Sequence, residues 1–299
     1  VEGEVFLGGI TAAYIGINWT FLPKPALYVA CFVGAMVVAA AWAFIPAVLR
    51  AYYNVNEVCT TILMNTVALY ITSYLVSGPM SAGTANAQSL PVTVRLYQFM
   101  KPSSVNVGIF IAAITVIVII FMLQKSSWGY KIRTVGLNPT HADYVGIDSK
   151  KVFIGAMMLS GMLGGMAGCI EVLGVHGYFL NNFATGLGSN GMLAALIVKN
   201  NMVSTPFMAF FLAVLKSGAM GMQQSTGVPK SLVDTITAVF IIIATMETAF
   251  QFAKKRKKKT AQTKETNASK EENPKKEDGL STLAHMSQEL MEDVVEPET

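Results

Sequence analysis

Residues 105–123 read VNVGIFIAAITVIVIIFML and contain no charged side chain. A helix needs about 20 mainly apolar residues to cross the hydrocarbon core of a bilayer. This stretch therefore predicts a membrane-spanning helix. The same criterion, applied outward along the chain, predicts further spans at residues 5–22, 26–49, 58–77, 152–173, 188–198, 203–222 and 233–252. The predicted fold class is all-α, a polytopic transmembrane helical bundle with roughly eight spans.

The overall composition agrees with a membrane protein. Of the 299 residues, 53% are hydrophobic and only 13% are charged, whereas a soluble domain has about 25% charged residues. The chain begins with VEGEVFLGG and has no initiator Met. We therefore expect that the membrane domain, residues 1–253, is N-terminally incomplete and that further spans precede it.

The distribution of charge predicts a second, non-membrane segment. Residues 1–253 hold 12 Lys and Arg and 8 Asp and Glu, a net charge of 12 − 8 = +4, while residues 254–299 hold ten of each kind. The second segment also has few large apolar residues, and such a composition is typical of a disordered chain. Residues 254–299 are thus expected to form a disordered charged tail.

The positions of the bases predict the orientation, because Lys and Arg concentrate in cytoplasmic loops close to spans. If all eight segments cross, the loop around Arg133 and the bases from Lys254 to Lys259 share the cytoplasmic side. The short segment 188–198 would also suit a re-entrant helix, but one of those two basic regions would then lie outside. We therefore expect eight crossings and a cytoplasmic tail. The outer loop 78–104 contains three prolines and is expected to be irregular or to carry short helices.

Small residues are concentrated in the stretch SGMLGGMAG, residues 160–168. Gly161 with Gly165, and Gly164 with Gly168, form two overlapping pairs of small residues four positions apart. Such pairs let helix backbones approach closely in lipid. The stretch predicts either a packing face or a helix that slides or tilts during a transport cycle.

Polar residues inside the spans are the candidates for function, because ionisable groups in lipid are costly and usually face a protein interior or a water-filled path. Glu171, Lys216 and Glu247 fall in predicted spans, and Lys216 is the deepest. Each is interpreted either as half of a structural ion pair or as a path-lining residue. Asn65 is interpreted either as an interhelical hydrogen-bonding residue or as a contact for a polar solute.

The sequence contains no pattern typical of an enzyme site. The three histidines, His141, His176 and His285, are far apart and lack metal-ligand spacing. No GxxxxGK[ST] loop is present to bind ATP phosphates. We expect no catalytic residue, metal or cofactor, and no nucleic-acid partner. If transport is driven by ATP, another chain must bind the nucleotide.

A short polar helix is predicted within the basic loop, at residues 138–146. Asn138 is a favoured N-cap, Pro139 suits the first helical position, and Gly146 suits the left-handed residue that ends a helix. The helix is too short to fold alone. It is interpreted either as an element that fits a cleft on another protein or as a surface helix on the membrane.

Several motifs together resemble one family. NVNEVCTTILMNTVALYITSYLVSGP (residues 54–79) is similar to a block N-E-[VI]-x-x-T-I-[ML]-x-N-x-[IV]-A, and RTVGLNPTHADYVGI (133–147) is similar to R-A-V-G-x-N-P-x-A-A-x-Y-A-G-I. SGMLGGMAGCIEVLGVHG and GMLAALIVKNN fit the blocks that follow, and VEGE resembles the end of I-G-x-E-G-Q with Glu4 in place of Gln. On these motifs the chain resembles the permease subunit of a nucleoside-type ABC importer. The superfamily includes branched-chain amino acid and monosaccharide permeases.

The resemblance implies a function and a set of partners. The expected function is translocation of nucleosides across the cell (plasma) membrane by ATP-driven alternating access. The implied partners are cytosolic ABC ATPase subunits, a second and non-identical permease, and an extracytoplasmic substrate-binding lipoprotein. The chain departs from the family pattern at His141 and Val145, where Ala is usual, and at Asn190, where an acidic residue is common.

The resemblance also implies that the predicted polar helix is a coupling helix, held in a groove of the ATPase. Ala142 is small and lies in the middle of this helix, so a bulky residue there is expected to leave the fold intact and to clash in a close-fitting groove. The expected coupling residues are Gly136, Asn138, Pro139, His141, Ala142, Tyr144 and Gly146. The candidates for the translocation path are Glu2, Asn56, Glu57, Asn65, Glu171, Asn190 and Lys216.

Other functions remain as alternatives at this point. The same architecture carries sugars, branched-chain amino acids or other small polar solutes in related permeases. A different class is a secondary transporter driven by an ion gradient, which would favour intramembrane carboxylates and inverted repeats. The intramembrane carboxylates are sparse here and no internal repeat is evident. A scaffold without transport activity is a further alternative.

Overall fold

The computed structural model describes residues 2–83, 87–99, 105–226, 231, 235 and 238–239. These residues form the helices α1 (Glu2–Asn18), α2 (Lys24–Tyr53), α3 (Glu57–Ser77), α4 (Gly108–Lys125), α5 (Ser127–Leu137), α6 (Pro139–Tyr144), α7 (Ser149–Ile170), α8 (Leu187–Ile197) and α9 (Ser204–Thr226). A π-helical segment, Glu171–His176, continues α7. The tail 254–299 and most of the predicted span 233–252 lie outside the described residues.

Five of the described helices are long and apolar enough to cross a membrane. They are α2, α3, α4, the continuous helix Ser149–His176, and Ser204–Gln223 within α9. The all-α membrane bundle predicted from the sequence is thus confirmed. The contacts divide the chain into two compact units, Val1–Leu215 and Lys216–Thr299, and the fold described below is that of the first.

The centre of the first unit is built from α1, α2 and α7, and the seam between α2 and α7 consists of small residues. A Cβ added to Gly161 would lie 2.6 Å from the Ala43 Cβ and 2.9 Å from the Ala39 carbonyl oxygen. A Cβ added to Gly165 would lie 2.6 Å from the Ala39 Cβ. The predicted packing face is therefore confirmed, since the two backbones approach too closely for any larger side chain.

The same face of α7 also receives α1. A Cβ on Gly168 would lie 2.9 Å from the backbone nitrogen of Gly9, and one on Gly8 would lie 2.6 Å from the Gly165 carbonyl oxygen. Because α1 is enclosed in this way, most of its residues are buried. Its 17 residues rise about 25 Å, and helix α1 ends at Asn18, short of the predicted boundary at residue 22.

The outer loop forms an extended strap, residues 87–99, that lies across one end of the bundle. Val92, Val94 and Leu96 are buried while the residues between them are exposed, as expected for an extended chain with one face packed. The Val92 N–H donates to the Gly177 carbonyl (2.9 Å), and the Leu96 N–H donates to the Leu173 carbonyl (2.9 Å). Of the two forms predicted for this loop, the irregular one is confirmed over its described residues.

The segment predicted as a span at residues 188–198 is not a transmembrane helix by itself. Helix α8 has 11 residues and rises about 16 Å, about half of a 30 Å hydrocarbon core. A span of one continuous helix is therefore wrong here. The apolar run at residues 188–198 does predict a helix, but its 11 residues are too few to cross the hydrocarbon core.

The chain just before α8, residues 177–186, is not helical. Gly177 lies at the strap, where the Thr93 hydroxyl also donates to the Gly16 carbonyl of α1. Ser189, in the first turn of α8, is hydrogen-bonded to Glu2 at the other end of α1. Gly16 and Glu2 are 14 positions apart in α1, about 21 Å along a helix. The chain between Gly177 and Ser189 therefore extends alongside α1 for about 21 Å.

Candidate functional site

Polar groups from three helices meet where this non-helical stretch ends. The Glu2 Oε1 atom accepts hydrogen bonds from the Ser189 N–H (3.2 Å) and the Ser189 hydroxyl (2.8 Å). The backbone N–H of Gly3 donates to the Asn65 Oδ1 atom at 2.7 Å. We call these four residues, Glu2, Gly3, Asn65 and Ser189, the central cluster. It joins the first turns of α1 and α8 to the middle of α3.

The central cluster is chemically suited to bind a neutral polar solute. A carboxylate is stabilised at a helix N-terminus, where backbone N–H groups are otherwise unpaired, so Glu2 is held in place by α8. Among the described residues, neither the second carboxylate oxygen of Glu2 nor the side-chain nitrogen of Asn65 has a further partner. These atoms leave an acceptor and a donor free beside the exposed hydroxyl of Ser189.

A cavity lies on the same α1–α3 seam, towards the strap. Its volume is about 310 Å³ and it is lined by Ile10, Thr11, Tyr14, Ile17, Asn18, Leu75, Pro79, Met80 and Leu90. Apolar side chains dominate, with a few polar groups of α1 among them, which is the usual lining of a small-molecule site. The α1–α3 seam thus combines a mostly apolar cavity at the strap end with the central cluster deeper in the bundle.

The structure brings together three of the path candidates. Glu2 and Asn65 belong to the central cluster, and Asn190 follows Ser189 in α8 and is half-buried. Ser189 itself was missed by the sequence reasoning, because it is the third residue of α8 and not its N-cap, so no local motif marks it.

The other path candidates lie elsewhere. Asn56 caps α3 by accepting from the Val58 N–H (2.9 Å), and Glu57 forms an ion pair with Arg50 at 3.1 Å. Glu171 begins the π-helical segment near the strap. Asn56 and Glu57 therefore have structural roles at the α2–α3 turn, at a distance from the central cluster.

Lys216 lies in α9, at the start of the second unit, and is half-buried. Its interpretation as half of a structural ion pair stays a prediction, and Glu247, another of the three ionisable residues in predicted spans, lies outside the described residues.

The predicted polar helix is present as α6, and its caps are as predicted. The Asn138 Oδ1 atom accepts from the His141 N–H at 3.1 Å, and Pro139 is the first helical residue. Gly146 has a φ of 83°, a left-handed conformation that glycine adopts without strain. The Ile147 N–H donates to the Ala142 carbonyl and the Gly146 N–H to the Asp143 carbonyl (2.9 and 3.0 Å), the hydrogen bonds of a Schellman motif.

Ala142 does not face outward from this helix. Its side chain is fully buried within the chain itself, with 0% exposure. The expectation that bulk at Ala142 would leave the fold intact and clash only in a partner's groove is therefore wrong, because α6 turns this side towards its own protein. A bulky residue at Ala142 would disturb the fold before it could test docking.

The exposed side of α6 and its flanks carries large apolar side chains. Leu137, Tyr144 and Val145 are 87%, 86% and 60% exposed. Pro139 and His141 are exposed beside them, and Gly136 has open space around its Cα. Large apolar side chains projecting from a loop between two membrane helices are typical of a surface that meets another protein.

The family of this chain is identified by comparison with known protein families. A family model described as the permease component of the branched-chain amino acid transport system matches residues 1–245. The chain belongs to this permease family. The resemblance identified from the sequence motifs is thereby confirmed.

Individual relatives of the permease carry different solutes. It is 32% identical to a guanosine ABC transporter permease of Bacillus subtilis, over 87% of this chain and 76% of that protein. It is 32% identical to a glucose ABC transporter permease of Haloferax volcanii, over 81% of this chain and 67% of that protein. It is 28% identical to a nucleoside ABC transporter permease of Lactococcus lactis, over 81% of this chain and 69% of that protein. No solved structure matches the permease.

Family membership establishes the general role of the permease. It is a multi-pass membrane protein and a translocation component, not an enzyme. Association with ATPase and substrate-binding components follows from the same family. The alternative of a transporter driven by an ion gradient is not supported, because the matching family belongs to ABC importers.

Proposed function

We propose that the permease translocates nucleosides as one subunit of an ATP-driven importer in the cell membrane. The observation that carries this proposal is the similarity to the guanosine permease, which extends over 87% of the chain. The nucleoside permease of Lactococcus lactis supports the same solute class. Glucose is the second candidate, because the glucose permease is equally similar at 32% identity.

In this mechanism the α1–α3 seam is the solute path. A nucleoside combines an apolar base face with polar edges and hydroxyls, and the mostly apolar cavity at Tyr14 and Leu75 suits the base. The free acceptor of Glu2 and the free donor of Asn65 then bind polar edges deeper in the bundle. Alternating access would expose the central cluster first to the strap end and then to the α6 end.

We further propose that α6 is the coupling helix and that Leu137, Tyr144 and Val145 meet the ATPase. Closure of the ATPase on ATP would then move α6 and, through it, α7. The proposal includes a second, non-identical permease beside this one and a substrate-binding lipoprotein outside.

The orientation follows from the bases described above. The loop that contains α5 and α6 and the tail 254–299 would both lie in the cytoplasm, where Lys and Arg are enriched. A cysteine introduced at Ser126 should react with an impermeant reagent only after the cells are permeabilised. Reaction in intact cells would contradict this orientation.

The solute can be tested by uptake into reconstituted vesicles that contain the complete importer. Labelled guanosine should enter in the presence of ATP, and unlabelled nucleosides should compete with it while glucose does not. Competition by glucose alone would favour the second candidate. A lack of ATP-dependent uptake of either solute would contradict both.

The central cluster can be tested at Asn65. Asn65→Leu leaves the Gly3 N–H without its acceptor and removes a polar contact for the solute. A polar edge of the solute left unpaired in the site costs about 1–3 kcal/mol of binding, and about 1.4 kcal/mol is tenfold, so we expect uptake to fall about tenfold in protein that still inserts. Thr66→Val is the control, because within the described part of the chain the Thr66 hydroxyl bonds only to the Ile62 carbonyl of its own helix (3.2 Å). Equal uptake by the Asn65→Leu variant and the native permease would remove Asn65 from the path.

A further inference from the structure

Two side-chain hydrogen bonds join α6 to α7, in addition to the bonds that cap each helix. The Asp143 Oδ1 atom accepts from the Ser149 N–H at 3.1 Å. The Ser149 hydroxyl donates to the Pro139 carbonyl at 3.0 Å. Ser149 is the first residue of α7, while Pro139 and Asp143 lie near opposite ends of α6. We call Asp143 and Ser149 the latch.

The latch fixes α6 in both position and direction. Two bonds from one residue of α7 reach opposite ends of a six-residue helix, so α6 can neither swing nor slide without breaking one of them. The loop between the two helices is closed by the hydrogen bonds around Gly146 and Ile147. Ala142 of α6 is fully buried within the chain. The short helix is thus attached to α7 as a rigid extension.

The other end of this extension leads into the centre of the protein. Helix α7 carries Gly161, Gly165 and Gly168, whose backbone lies against α2 and α1. Close packing of this kind transmits displacement because the contacting atoms have no free space. Helix α1 in turn begins at the central cluster, where Glu2 meets Ser189.

We propose that Asp143 and Ser149 are positioning residues that make α6 and α7 a single lever between the ATPase and the solute path. This inference rests on the proposed function of α6 and goes beyond it, since it assigns the transmission step to two residues. The docking face of α6 would bind the ATPase with or without the latch. Only the transfer of the movement of α6 to α7 would require the latch.

The lever can be tested in the reconstituted importer with Asp143→Ala, Asp143→Asn and Ser149→Ala. Asp143→Ala removes the acceptor, whereas the amide oxygen of Asp143→Asn still accepts from the Ser149 N–H. We expect Asp143→Ala to bind and stimulate the ATPase normally while solute uptake per ATP falls about 5-fold or more. Asp143→Asn should remain within about 2-fold of the native permease. Ser149→Ala keeps its N–H and should lose less than Asp143→Ala.

Asp148→Ala is the matched control. Asp148 is an exposed carboxylate in the same turn, and it accepts from the Lys151 N–H at 3.1 Å within the start of α7. It caps α7 without reaching α6. Uptake per ATP should therefore change little, although the cap is lost.

Three results would overturn the proposal. They are normal coupling in Asp143→Ala, equal loss in Asp143→Ala and Asp143→Asn, and equal loss in the Asp148→Ala control. Failure of the proposed function itself would look different, because the native permease would then neither retain the ATPase nor import the solute. Amide hydrogen exchange at Ser149 gives a readout independent of transport. It should accelerate in Asp143→Ala and not in Asp143→Asn, and unchanged exchange in both variants would show that the latch does not form.

Discussion

Replacing Gly165 with valine should leave little folded permease. A side chain at this position meets the Ala39 Cβ at 2.6 Å and the backbone of Ala35 even closer, so α2 must move away from α7. Overpacking a close contact costs about 1–3 kcal/mol and occasionally more. We expect the upper end, about 3 kcal/mol, because backbone atoms cannot rotate out of the way. The measurement is the yield of monodisperse protein in detergent together with its midpoint of thermal unfolding.

Gly218→Val is the matched control for this experiment. Gly218 lies in α9, and a Cβ there meets no described atom within 4 Å. The two variants make the same change within an α-helix, so a difference between them reports packing rather than helix propensity. Similar yields and unfolding midpoints for the two variants would contradict the proposed role of the small-residue seam.

Tyr144→Ala should weaken binding of the ATPase about 30-fold, which corresponds to about 2 kcal/mol. Tyr144 is 86% exposed and projects from the side of α6 opposite Ala142. An exposed aromatic side chain at the centre of an interface is typical of a binding hot spot. The change leaves the caps of α6 intact, so the helix should still form. Affinity can be measured between the purified permease and ATPase in detergent.

Tyr97→Ala is the control for the docking experiment. Tyr97 is 70% exposed, but it lies in the strap at the opposite end of the bundle. Its replacement removes the same side chain from a surface that the ATPase would not meet. Unchanged ATPase binding by the Tyr144→Ala variant would exclude this face of α6 as the docking surface.

The spans and the caps could be predicted from the sequence because both depend on local chemistry. The predicted span at residues 58–77 differs from α3 by a single residue. A long apolar run in lipid forms a helix because a helix satisfies its backbone hydrogen bonds internally. Asn138, Pro139 and Gly146 fixed both ends of α6 through the backbone conformations that each residue favours. The small-residue pairs in α7 indicated a packing face, although not which helices it contacts.

The features that were missed depend on contacts between distant residues. The non-helical segment 177–186 has no helical period, and its position is set by packing against α1. Phe183, for example, lies edge-on to Phe6 with ring centroids 5.7 Å apart. The burial of Ala142 and the bonds of Asp143 and Ser149 likewise depend on how α6 folds back onto α7. No local propensity encodes such pairings.

The strap has a consequence for how one end of the permease can open. Its backbone binds the π-helical segment at Leu173 and the following Gly177, while the Tyr28 hydroxyl of α2 donates to the Arg95 carbonyl at 2.6 Å. Thr93 adds the bond to Gly16 of α1. The strap therefore holds the π-helical segment, α1 and α2 together at one end of the bundle. The strap is also tied to α3, because the Leu90 N–H donates to the Met80 carbonyl just after that helix (3.2 Å) and the Ser73 hydroxyl of α3 donates to Asn181 (2.9 Å), whose own N–H donates to the Ala87 carbonyl of the strap. A gate at this end would therefore have to release these bonds or move α1, α2, α3 and the π-helical segment together.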